Sequence, residues 1–251
     1  MTSSSDWFHI PKPLVHPRMR LICLPYAGGS GAVFHHWPAG LPADIEVCAA
    51  QLPGRTFRLR EEPIRSFERL LAELGRVVEP LCDGPFALLG HSLGALTAFE
   101  LTRWLRARGR NLPVHLFVLG HSAPQANKPR PALHALPTAE LTAELTRRYG
   151  TSALLATDPA LQELVLPALR ADLEVLTTWR HESQDPLSIP ITAMFGKDDQ
   201  SAPPASGEAW RHETRAEFLL HELPGSHYFI DTSRPTVLEL VSRALSMAES
   251  T

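Results

Sequence analysis

Cysteine is scarce in this 251-residue chain. The three present, Cys23, Cys48 and Cys82, lie in or beside apolar runs, with neither paired metal-ligand spacing nor the even count of a disulfide framework. They read as buried, reduced thiols of a cytoplasmic protein without a metal site. Long apolar runs are missing too: nowhere do about 18 consecutive apolar residues occur that could span a bilayer. The opening "MTSSSDWFHIPKPLVHPRMR" lacks a basic region followed by a sustained apolar stretch. Neither export nor membrane anchoring is expected. Charge of one sign is also lacking, since 24 Lys+Arg against 27 Asp+Glu leave a net charge of −3. No global field draws nucleic acid or an anionic membrane, so any charged partner must be met by a local patch. Internal repeats and low-complexity segments are absent apart from the proline-containing lead-in.

What is present suits one large α/β domain over residues 1–251: 44% of residues are hydrophobic and 20% charged, enough to bury a sizeable core. Short apolar runs at 20–27, 45–54, 86–91, 114–122, 191–196 and 216–225 read as strands. Amphipathic segments at Ser66 to Leu81, Leu93 to Arg108 and Pro235 to Ala248 read as helices. The alternation predicts a mostly parallel sheet with helices on both faces. Residues from about 128 to 186 break the rhythm and read as wholly helical, an insertion laid over one end of the sheet.

Sites in such sheets gather beyond the carboxyl ends of the strands. There "GHSLG" (90–94) places Ser92 between an apolar strand and an amphipathic helix. Gly90 and Gly94 suit a sharp strand-to-helix turn that lifts the hydroxyl into a cleft. Serine also caps helices, so a second segment serves as a control. "LGHSAP" (119–124) repeats Gly-His-Ser but has Pro124 at the second-glycine position. It cannot make the same elbow, and Ser122 reads as a loop serine.

A serine nucleophile needs a base and a carboxylate to orient that base. "MFGKDDQSAP" supplies Asp198 and Asp199 just past one strand, and "LHELPGSHYFI" supplies His227 past the next. The third position after the loop glycine favours Asp199 over Asp198. The other histidines, such as His35, His36, His181 and His212, read as surface or structural. Oxyanion donors are expected from the backbone N–H of Leu93 and of Ala27, the latter in the loop "LPYAGGSGAVFHHW". That loop lacks Gly-Lys-Ser/Thr and the spaced glycines of a dinucleotide fingerprint, so nucleotide binding is not expected, and no cofactor is needed.

The motifs "LPYAGG" (24–29), "QLPGR" (51–55), "GHSLG" (90–94), "RADLEVL" (170–176), "GKDD" (196–199) and "PGSHYF" (224–229) together resemble the type II, or editing, thioesterases of polyketide synthases and nonribosomal peptide synthetases. The resemblance covers nearly the whole chain after residue 20. It implies an α/β-hydrolase fold with a mobile helical lid at about 128–186. It further implies hydrolysis of acyl groups from the phosphopantetheine thioester of an acyl or peptidyl carrier protein, or from small acyl thioesters. Ser92, His227 and Asp199 are similar to the family's nucleophile, base and acid, and Ala27 with Leu93 to its oxyanion hole. A chain-terminating fatty acyl thioesterase, a general carboxylesterase and a non-catalytic carrier-binding scaffold are the alternatives. For an acidic carrier, Lys128, Arg130, Arg147, Arg148 and Arg170 are the candidate docking patch; otherwise they are solvated charges on amphipathic helices.

Overall fold

The computed structural model describes residues 4–126, 131–151 and 154–247. Seven strands form one sheet: β1 (Phe8–His9), β2 (Met19–Leu24), β3 (Ile45–Ala50), β4 (Phe86–His91), β5 (Leu116–Leu119), β6 (Ile191–Gly196) and β7 (Phe218–Leu223), in the order β1-β3-β2-β4-β5-β6-β7. All neighbours run parallel except β1, which pairs antiparallel to β3 through Phe8↔Ala50 and His9↔Ala49. The helices are α1 (Phe67–Val78), α2 (Leu93–Ala107), α3 (Thr138–Tyr149), α4 (Leu154–Thr157), α5 (Pro159–Thr178), α6 (Phe229–Thr232) and α7 (Arg234–Met247).

The central strands read as continuous apolar runs because both faces of the sheet are covered. Ile22, Leu24, Leu88, Val118, Ala193 and Phe195 pack on one side with α1, α2 and α5. Their neighbours Leu21, Cys23, Leu89, Phe117 and Met194 point the other way, against Phe34, Trp37, Phe229 and α7. The three cysteines are free and buried, and burial pushes Cys48 and Cys82 up to about 12. No helix among the described residues is long and apolar enough to cross a membrane.

The six expected strands are all present, but several are shorter than their apolar runs. Gln51 to Gly54 are buried without being strand, so hydrophobicity there marks a covered loop at the carboxyl edge. β1 was not expected; two residues are too few to leave a periodic signal. The first long helix starts as expected, with the Ser66 hydroxyl accepting from Arg69 N–H. It ends earlier, at Val78, and tightens into a 3₁₀ turn over Glu79–Asp83, where Pro80 removes a backbone donor.

The insertion is not wholly helical. α3, α4 and α5 are joined to the rest by irregular chain, and His181 to Asp185 are exposed with no apolar stripe to bury. α5 starts cleanly, with Pro159 in its first turn and Asp158 accepting from the N–H of Ala160 and Leu161. Lys128 and Arg130 lie outside the described residues.

Candidate active site

Ser92 joins β4 to α2 with φ 55° and ψ −115°, a backbone conformation rarely adopted by residues with a side chain. Glycine is required on either side of it. A Cβ at Gly90 would collide with the backbone of Gly94, and one at Gly94 with the carbonyl of Leu24. The Ser92 N–H donates to Leu119 O on β5 (2.8 Å), while the Ser92 carbonyl accepts from Ala95 N–H (3.0 Å). The strained residue is thus held from both directions. Its hydroxyl makes no capping hydrogen bond to α2 and instead lines two cavities.

β6 and β7 deliver the other two groups to the same edge. After Gly196 the chain turns so that Asp198 is exposed and Asp199 is 3% exposed. After β7, the Pro224–Gly225–Ser226 turn leads to buried His227. His227 Nδ1–H donates to Asp199 Oδ2 at 2.7 Å. The other carboxylate oxygen, Oδ1, accepts from the Ser201 N–H (2.8 Å), the Ser201 hydroxyl (2.6 Å) and the Ala202 N–H (3.1 Å). Burial opposes ionisation of Asp199, but the hydrogen bonds and charge of His227, helped by Ser201 and Ala202, outweigh it and hold the carboxyl below its usual value.

His91, just before Ser92, is fully buried and donates Nε2–H to the backbone carbonyl of His227 (2.9 Å). Burial, reinforced by His227, holds its imidazole well below 6.5, so it stays neutral. The elbow is thereby tied to the loop that carries His227.

The loop after β2 runs beside the elbow because Leu24 pairs with Gly90 in the sheet. Among the described residues, the backbone N–H groups of Ala27 and Leu93 make no hydrogen bond. Ser92, His227, Tyr149, Leu173 and Leu176 form walls common to two cavities. One, of about 300 Å³, continues between Ala27, Leu145, Leu155, Val165 and Leu169. The other, of about 520 Å³, continues past Ser122, Arg147, Arg148, Gln200, Ser201 and Ser206. The Tyr149 ring, at the end of α3, stands 4.9 Å from that of His227.

Ser92, His227 and Asp199 are therefore brought together, and Asp198 is not among them. Ser122 follows β5 with only a short 3₁₀ turn, Pro124–Ala126, behind it, and donates its hydroxyl to Ser206 Oγ (2.8 Å). Of the proposed basic patch, Arg170 is spent inside the insertion, donating to the carbonyls of His134 (2.7 Å) and Leu136 (2.8 Å) and to Thr138 Oγ1. Arg147 and Arg148 both pair with Glu144 on the surface of α3. Sequence reasoning missed Ser201, His91 and Tyr149. Adjacency to a motif could have found the first two; nothing local marks Tyr149.

A serine hydrolase of the α/β-hydrolase fold is the class that this sheet, its elbow and its solved neighbours define. The thioesterase type II BorB, from the borrelidin biosynthetic cluster, superposes with a TM-score of 0.88 at 34% identity, covering 98% of this chain and 100% of that one. RedJ, a thioesterase from the prodiginine pathway of Streptomyces coelicolor, gives a TM-score of 0.85 at 35% identity, covering 93% and 91%. In sequence, the gramicidin S biosynthesis protein GrsT of Aneurinibacillus migulanus is 38% identical over 243 residues, 97% of this chain and 95% of its own. The thioesterase-domain model matches residues 19–245. The chain belongs to the thioesterase family and is an enzyme that acts on thioesters.

Proposed function

We propose that the enzyme edits a polyketide synthase or nonribosomal peptide synthetase, hydrolysing acyl groups from the phosphopantetheine thioester of its carrier proteins. The observation that carries this reading is that Ser92 stands at the junction of an apolar and a more polar cavity, with His227 as a wall of both. An acyl group suits the side lined by Leu145, Leu155, Val165 and Leu169. The pantetheine arm, with its amides and terminal phosphate, suits the side lined by Ser122, Ser201, Arg147 and Arg148. The kinship with proteins of gramicidin, borrelidin and prodiginine biosynthesis supports the same setting.

In this reading His227, whose Nδ1 is committed to Asp199, takes the Ser92 proton on Nε2 as Oγ attacks the thioester carbonyl. The negative charge on the former carbonyl oxygen is met by the N–H groups of Ala27 and Leu93. Collapse breaks the C–S bond, and the pantetheine sulfur leaves as a thiol with the proton from His227. Water, deprotonated by the same imidazole, then attacks the acyl-serine ester and releases the carboxylic acid and Ser92.

The test presents a panel of acyl groups on carrier protein and on coenzyme A, reading deacylation by mass spectrometry of the pantetheine arm. Faster turnover of short carrier-bound acyl groups than of long acyl thioesters or simple esters is expected. Preference for long free acyl thioesters would mean chain termination instead, and no turnover at all would mean a non-catalytic scaffold.

A further inference from the structure

Two of the motifs noted in the sequence, "QLPGR" and "RADLEVL", supply no reacting group to the chemistry above, yet the fold joins their charged residues. Arg55 follows β3 and Asp172 lies on α5; both are buried, at 6% and 2% exposure. They meet in a two-pronged ion pair, with Arg55 Nη1 at 2.7 Å from Asp172 Oδ2 and Nη2 at 2.8 Å from Oδ1. The pair also grips the loop after β2 on two adjacent residues. Gly28 N–H donates to Asp172 Oδ2 (2.7 Å), and Arg55 Nη1–H donates to Gly29 O (2.9 Å).

The placement bears on Ala27. Its N–H belongs to the Tyr26–Ala27 peptide, whose carbonyl accepts from Gly29 N–H (2.8 Å). The next peptide, Ala27–Gly28, is held through its N–H by Asp172. Both peptides flanking the Ala27 α-carbon are thus pinned, which fixes the direction of the Ala27 N–H. We propose that Arg55 and Asp172 are positioning residues that aim the Ala27 N–H at the reacting carbonyl oxygen and bind α5 to the oxyanion loop. The inference rests on the reading of Ala27 as an oxyanion donor.

The charges have separate duties. Asp172 holds the amide but sets a carboxylate one residue from where an oxyanion forms. Arg55 neutralises that carboxylate and holds the neighbouring carbonyl. Losing Arg55 should therefore harm catalysis more than neutralising Asp172.

The test measures kinetics on a small acyl thioester, thermal unfolding, and inhibition by an acyl trifluoromethyl ketone, whose adduct with serine carries an oxyanion. For Asp172→Asn, kcat should fall about 10- to 30-fold with KM within about twofold, and ketone affinity should fall in parallel. Arg55→Met should lose about 100-fold or more in kcat. It should also be less stable, because it strands a buried charge. The double variant Arg55→Met/Asp172→Leu removes both charges and should regain the lost thermal stability while kcat stays about tenfold or more below wild type. Recovery of kcat together with stability would overturn the proposal and leave the pair a mere structural tie. If neither Arg55 variant folds, Asp172→Asn decides alone: unchanged ketone affinity overturns the proposal. Ser92→Ala run in parallel separates the two ideas. If Ser92→Ala is inactive while Asp172→Asn matches wild type, only the positioning role falls. If Ser92→Ala stays active, the serine mechanism itself falls.

Discussion

The hydroxyl of Ser201 stands 3.0 Å from Nδ1 of His227 while donating to Asp199 Oδ1 at 2.6 Å. The carboxylate is thereby clamped at Oδ1, the oxygen that His227 does not engage, and its ionised form is favoured. Ser201→Ala should reduce kcat by about 5- to 20-fold, less than loss of the acid itself. Because the Ser201 hydrogen bond lowers the Asp199 pKa, its removal should raise that pKa. Steady-state kinetics on one acyl thioester would show the loss, and a kcat within about twofold of wild type would count against this role for Ser201.

The two Gly-His-Ser segments allow a direct comparison. Ser92→Ala should abolish hydrolysis, by about 10⁴-fold or more, with the fold intact. Ser122→Ala should lose only the hydrogen bond to Ser206 and keep most of its activity. Turnover of the two purified variants, with circular dichroism to verify folding, decides it; a reversed order would move the nucleophile.

Asp198 and Asp199 differ by environment rather than chemistry. Asp199→Asn should cut turnover by about 10³- to 10⁴-fold by disturbing the imidazole, whereas exposed Asp198→Asn should change it by less than about tenfold. Single-turnover kinetics on one acyl thioester would register the difference.

Stability should fall as the pH drops from about 6.5 towards 4. His115 is buried beside Thr192, with its pKa lowered by burial from 6.5 to about 4. Between those values the unfolded chain binds a proton that the folded chain refuses, so stability rises with pH across this window. The shift corresponds to about 3 kcal/mol lost by pH 4. Buried His91 acts in the same direction. The lowered pKa of Asp199 extends the loss to still lower pH, as its folded form resists protonation below 3.8. Thermal melts from pH 7.5 to 4.5 should show a shallower fall in His115→Gln. An unchanged slope would remove His115 from the account.

The central strands were legible because burial on both faces writes itself as uninterrupted hydrophobicity. The same cue overran at 51–54, where Gln51 to Gly54 are buried like a strand but form a covered loop. Ser92 and His227 were legible because each follows a strand at the carboxyl edge. Arg170 was not: on an amphipathic helix, an arginine that serves backbone carbonyls 34 and 36 residues away looks the same as one in water. Arg55 and Asp172 were visible as motif residues, but their partnership spans 117 positions and emerges only from the fold.

The left-handed backbone of Ser92 also bears on how such a protein decays. Glycine adopts that conformation freely, whereas serine holds it at a cost of about 1–3 kcal/mol. In the proposed mechanism, replacing Ser92 with glycine therefore relaxes the chain as it silences it. A copy released from selection for hydrolysis would meet little thermodynamic resistance to losing its serine, and an inert descendant could persist as a well-folded relic.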